Sequence, residues 1–116
     1  MALRLNQKAY DHARELIDAG RVVKDEPHAW SEAQPTADVQ NEYIRAHGFP
    51  KYGTWFLGIN EDEPEDTKAR YAFPYGDFHE VRRSGVLAAE HRAGQYKHVD
   101  IEKAAAGLYR RIKATE

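Results

Sequence analysis

The sequence predicts an α+β fold, with about four helices packed on a small antiparallel two-stranded sheet. Three observations lead there. Apolar residues recur at the helical period through most of the chain. Two short aromatic-rich stretches near its middle, residues 54–59 and 68–73, replace that period with alternation. Residues suited to capping helices stand at the joins. At 116 residues the chain suits one domain spanning 1–116. Folding at this size removes roughly two-thirds of the accessible surface from water, enough for a core without disulfides or metal.

The first helix is expected over residues 7–19. Asn6 caps it, Gly20 ends it in the left-handed conformation, and Ala9, Tyr10, Ala13, Leu16 and Ile17 fall on one stripe. Residues 21–24 read as extended. Residues 26–36 hold two prolines and Trp30, which suits a loop pinned by the tryptophan. A second helix over 37–47 is capped by Thr36 and closed by Gly48, with Val39, Tyr43 and Ile44 inward.

In the first strand Trp55, Leu57 and Ile59 share one face, so alternation turns Phe56 outward and makes it the aromatic expected at the surface. Tyr71 and Phe73 share a face of the second strand, which Pro74 stops. Between them residues 60–67 carry five acidic side chains and Pro64, longer than an ordinary hairpin loop. Asp77 with Glu80 has capping-box spacing, predicting a short helix through residue 83. Ser84 then caps a helix over 85–96 with Val86, Ala89 and Ala93 inward. Asp100 caps the last helix, whose inward stripe is Ile101, Ala105, Leu108 and Ile112. Gly107 inside that helix reads as room for a close aromatic ring.

Composition removes several function classes. The chain has no cysteine, which excludes disulfides, cysteine zinc sites and thiolate catalysis. No G-x-S-x-G, phosphate-binding loop or dinucleotide fingerprint is present. His79-Glu80-Val81-Arg82-Arg83 begins like the zinc-protease motif and fails at Arg83, where a second histidine is required. The six histidines show no metal spacing on one predicted helix, and the acidic stretch 61–66 lacks the glycine of an EF-hand loop. Accordingly no catalytic residue, metal or cofactor is assigned. The longest run of large apolar residues is Trp55-Phe56-Leu57, and charges interrupt the N-terminal stretch. Together these suggest a soluble cytoplasmic protein with no membrane partner.

Charge supplies the leading site. Residues 1–66 hold seven Lys and Arg against thirteen Asp and Glu, a balance of -6, and residues 67–116 hold ten against six, a balance of +4. Arg82-Arg83-Ser84-Gly85 stands at the start of a predicted helix, where free amides, the helix dipole and two guanidinium forks suit a phosphate, sulfate or carboxylate. His91, Arg92, Lys97 and His98 extend this basic region along that helix and just past its expected end. A wider set adds Arg110, Arg111 and Lys113, with Tyr96 and Tyr109 as stacking surfaces for nucleic acid, although Glu90, Asp100 and Glu102 interleave. The ordinary alternatives are a helix cap and a solvated face. The leading functional expectation is a binding module whose partner is an acidic protein, a phosphate-bearing ligand or nucleic acid. Homodimerisation through exposed aromatics is an extension of it. The rival is a small enzyme using His79, Glu80 or His98 as acid or base beside the anion site.

Tyr43, Phe49, Tyr52, Trp55, Phe56, Tyr71, Phe73, Tyr75 and Phe78 lie close together in sequence and suit a core of bulky rings, or in part a recognition surface. The segments HGF at 47–49, KYGTWFLGI at 51–59, RYAFPYGDFHEVRRSGV at 70–86 and RAGQYKHVDIEKAA at 92–105 resemble a group of small bacterial proteins of unknown function. Phe73-Pro74 and Asp77 followed by two helices also resemble short helical modules of phage-derived proteins. The resemblance implies a bacterial or phage-linked cytoplasmic protein and maps no catalytic residue onto the chain.

Overall fold

The computed structural model describes residues 3–115. Its elements in chain order are β1 (Leu3–Leu5), α1 (Gln7–Asp18), β2 (Val22–Val23), α2 (Trp30–Ala33), α3 (Ala37–His47), α4 (Phe49–Gly53), β3 (Phe56–Asn60), β4 (Tyr71–Pro74), β5 (Val81–Arg82), α5 (Arg83–Gln95) and α6 (Val99–Ala114). The fold is α+β as expected, with more elements than expected. A three-stranded antiparallel sheet in the order β1-β3-β4 replaces the two-stranded one, and β2 pairs with β5 in a separate parallel ladder. The described residues form six α-helices rather than four. α2 and α4 are too short, at four and five residues, to show a period.

The long helices follow their sequence signals. α3 starts after Thr36, whose hydroxyl accepts the Val39 amide at 3.3 Å, and ends at Gly48. Gly20 closes the turn after α1 with φ at 78°. Ala9, Ala13, Leu16 and Ile17 are buried from α1, and Ile101, Ala105, Leu108 and Ile112 from α6. Val86, Ala89 and Ala93 bring α5 against α6, and their small side chains let the two helices approach closely. Val39 is the exception to its stripe and is exposed.

Several expectations are corrected, most of them by contacts distant in sequence. Phe56 is only 6% exposed, because the rings of Tyr52, Tyr71 and Phe78 surround the face that alternation assigned to solvent. β3 is the central strand and is covered on both sides, so period 2 does not separate inside from outside there. Residues 77–80 form a tight turn rather than a helix. The Asp77 carboxylate accepts the amides of His79 and Glu80 at 3.0 and 2.7 Å, as a helix cap would, but Phe78 is left-handed at φ 70°. Val81 then joins β2 instead of continuing a helix.

Two further caps move. Asn6 precedes α1 but turns its amide inward, donating to the carbonyls of Gly53 and Phe56 at 3.0 and 3.1 Å. Asp100 lies in the first turn of α6, where it accepts the Leu5 amide at 2.8 Å and fastens β1 to the helix. An alanine Cβ at Gly107 would meet only the Arg110 guanidinium and the Tyr10 hydroxyl, both at an ordinary 3.8 Å, so no close ring requires the glycine. Gly107→Ala is therefore expected to raise stability by about 1 kcal/mol, measured as a higher urea midpoint with an unchanged slope.

Candidate binding site

At the start of α5 the donors of Arg82, Arg83 and Ser84 are met by carboxylates and carbonyls of the chain itself. Ser84 lies within the first turn rather than capping it. Its amide and hydroxyl both donate to the Asp25 carboxylate, at 2.9 and 2.7 Å. Arg82 donates to Asp77 at 2.9 Å and lies 3.6 Å from Asp25. Arg83 donates to the backbone carbonyls of Asp25 and Lys24 at 3.0 and 2.9 Å. Gly85 is buried between the Tyr75 carbonyl and the Trp30 ring. Burial pushes the Asp77 carboxyl up, but the Glu80 amide, the Arg82 guanidinium and the His79 amide outweigh it and hold it below its ordinary value. These groups fasten residues 24–30 to α5, with the Asp25 carboxylate held at the Ser84 amide and hydroxyl.

The rest of the expected basic region is separated from that point. His91 and Arg92 are exposed near the far end of α5, about 15 Å along the helix axis from Arg82. Lys97 forms the connection to α6. It is left-handed at φ 62°, with its amide bonded to Gly94 and the next amide to Ala93, the hydrogen-bond pattern that commonly ends a helix at glycine. His98 is half-buried, edge-on to Phe73. Near the other end Arg111 is held by Asp18 through two 2.8 Å bonds. Lys113 lies over the Tyr109 ring. The sequence asymmetry is thus partly cancelled by pairs joining its two halves. His79 and Glu80 sit in the turn before β5, at the opposite end of α5 from His98, so the three do not form one acid–base group.

A larger opening lies where sequence reasoning assigned only a loop and a core. The first residues of α1, the start of α4, β3, β4 and their connection border a cleft of about 720 Å³. Phe49, Pro50, Ile59 and Tyr71 provide its apolar lining, with Gly53 between them. An added Cβ at Gly53 would stand 2.3 Å from the Tyr71 ring, so this glycine leaves the ring room to pack against α4. Lys8 borders the α1 side, and Glu65, Asp66 and Arg70 the β3–β4 connection. Arg4 and Glu61 are joined across β1 and β3 by two bonds of 2.6 and 2.9 Å. Arg70 donates to the Glu63 carbonyl at 2.9 Å, which orders the acidic connection. The available signals were the aromatic cluster and the acidic run, and nothing local indicated that they share a wall.

Beneath the cleft, Tyr75 donates to the Thr54 carbonyl at 2.7 Å, and His12 Nδ1 lies 2.9 Å from the Tyr75 oxygen. With the Tyr75 proton directed at Thr54, neutral His12 donates from Nδ1. Burial lowers the His12 pKa from 6.5, against the opposing pull of the Thr54 carbonyl and Glu15. The unfolded chain then takes up this proton first as pH falls. His12 thus contributes stability above its unfolded pKa, and this is lost from about pH 6.5 down to the lower folded value. Urea midpoints should fall across that window, and more weakly in His12→Gln. Parallel profiles for the two proteins would show that His12 is not responsible.

Among the described residues no group of three or more His, Asp or Glu is placed to hold a metal ion. No described helix is long and apolar enough to cross a membrane. No family model, curated protein or solved structure matches the chain.

Proposed function

We propose that this is a small non-enzymatic interaction module of the bacterial cytoplasm, and that a partner segment occupies the cleft beside α1, α4 and the β3–β4 connection. The observation that carries this reading is the meeting of an apolar lining with both signs of charge in one 720 Å³ opening. A cleft of that size and character suits a ligand larger than a single ion. The guanidinium groups of Arg82 and Arg83, by contrast, are already engaged with the chain itself.

A second reading, binding of a phosphate-bearing ligand or nucleic acid, draws on His91, Arg92 and Lys97 at the far end of α5. The exposure of Tyr96, at 62%, favours it by leaving a ring for stacking beside these charges. Amide-resolved NMR titration separates the two, using a mixture of short synthetic peptides in one arm and a single-stranded oligonucleotide in the other. Peptide-induced shifts at Gly53, Thr54, Ile59 and Tyr71 are the expected result. Shifts confined to residues 91–98 with the oligonucleotide would move the site to α5 and overturn the cleft assignment.

A further inference from the structure

We propose that residues 34–47, which are α3 and the connection before it, form a lid that opens over the rings of Tyr52, Trp55 and Phe78 while the rest of the fold stays closed. The distribution of burial points to this division. No residue between Ile17 and Tyr52 is buried, whereas α1, α5 and α6 each bury four or five. Within α3 only Gln40, Tyr43 and Ile44 are even half-buried. Backbone hydrogen bonds in a segment with so little buried surface open at a lower free energy than those of the core.

The same three side chains fasten the lid. The Tyr43 ring stacks on Phe78 at 4.5 Å, and its hydroxyl accepts the Trp55 indole N–H at 3.2 Å. Gln40 Oε1 accepts the Tyr52 hydroxyl at 2.8 Å, and Ile44 packs against the edge of the core. Water can take over both hydrogen bonds once α3 lifts, so opening leaves no polar group unsatisfied. The floor does not rely on the lid for its own packing, since Tyr52 also meets Phe56 and Tyr71, and Trp55 is stacked on Tyr75. Both flanks are tied to the fixed part. Ahead of the lid, Asp25 accepts from Ser84 and the Trp30 ring lies against Gly85. Behind it, the chain turns at Gly48, with φ at 84°, into α4, where Tyr52 and Gly53 are buried. Opening therefore turns ring surface to solvent that the closed form hides.

Hydrogen exchange of the full chain, followed amide by amide by NMR in rising but non-denaturing urea, tests the proposal. A helix of 11 residues is marginal once detached, so its amides exchange when the lid opens. Residues 40–47 should exchange at least about tenfold faster than residues 105–112. They should also share one shallower urea dependence, since lifting the lid exposes less surface than unfolding. Ala105→Gly weakens α6 and should speed exchange at residues 105–112 while leaving residues 40–47 unchanged, because the open form keeps α6 packed. Tyr43→Ala should speed exchange at residues 40–47 by about tenfold. Equal rates and urea dependence in the two sets, or an equal effect of Ala105→Gly on both, would overturn the lid by showing one cooperative unit. Rates at residues 40–47 that differ from one amide to the next and ignore urea would overturn it as well, by showing that α3 only frays. Circular dichroism checks that both variants fold, and the comparison within the parent chain needs neither.

Discussion

Replacing Asp25 with alanine is expected to cost about 2–4 kcal/mol of stability and to open an anion site at the start of α5. The carboxylate of Asp25 is largely buried, at 11% exposure, and accepts two hydrogen bonds from Ser84 while facing Arg82. Without it the Ser84 amide and hydroxyl lose their partner in a place water reaches poorly, and Arg82 keeps only Asp77. Removing one member of such a set costs more than the set contributes relative to an apolar replacement, because the remaining polar groups stay buried.

The same variant distinguishes an internal cap from simple packing. Sulfate or phosphate added to Asp25→Ala can take the vacated position, and binding to the folded form raises stability by mass action. Sulfate also stabilises proteins generally by exclusion from their surfaces, so the informative quantity is the increment in the variant beyond that in the parent chain. A larger rise in melting temperature for Asp25→Ala, with amide shifts at residues 84–87, is expected. Equal increments in the two proteins would show that Asp25 does not stand in for an anion.

Gly76→Ala should be the most damaging of the glycine substitutions considered, at about 3 kcal/mol. An added Cβ would lie 2.5 Å from the Glu80 carbonyl oxygen and 2.8 Å from the Trp55 ring. Neither neighbour can move cheaply. The Glu80 carbonyl accepts the Asp77 amide and closes the turn at 3.1 Å. Trp55 is stacked on Tyr75 at 5.5 Å, and its indole donates to the Tyr43 hydroxyl at 3.2 Å. Urea denaturation of Gly76→Ala and Gly107→Ala on the same day provides the contrast, one strongly destabilised and the other stabilised. Comparable midpoints would refute the close packing of the turn on the tryptophan.

Much of the helical fold was legible because its signals are local. Thr36 and Gly48 mark the two ends of α3, each acting on amides or carbonyls within one turn. The stripe Ile101, Ala105, Leu108 and Ile112 reports which face of α6 is buried, since a helix repeats its directions every few residues. The Asp77–Glu80 spacing misled for a related reason. An aspartate accepting the amides two and three residues ahead is common to helix caps and tight turns, and the choice fell to the pairing of Val81 with Val22.

The candidate site was legible only in pieces. The aromatic cluster, the acidic connection and the basic start of α5 were each visible, but their neighbours were not. Arg82, Arg83 and Ser84 invited an external anion until the fold brought Asp25 to them from 59 residues earlier in the chain, in the case of Ser84. The cleft draws its lining from the first strand and helix, from α4 and from the β3–β4 connection, so no local stretch contains it. Hydrophobic period, capping residues and charge balance thus determined the helices, the buried stripes and the α+β class. Tertiary structure alone decided which strands pair, which charges are neutralised and where apolar surface stays open, because those outcomes depend on packing between segments that carry no short-range mark of one another.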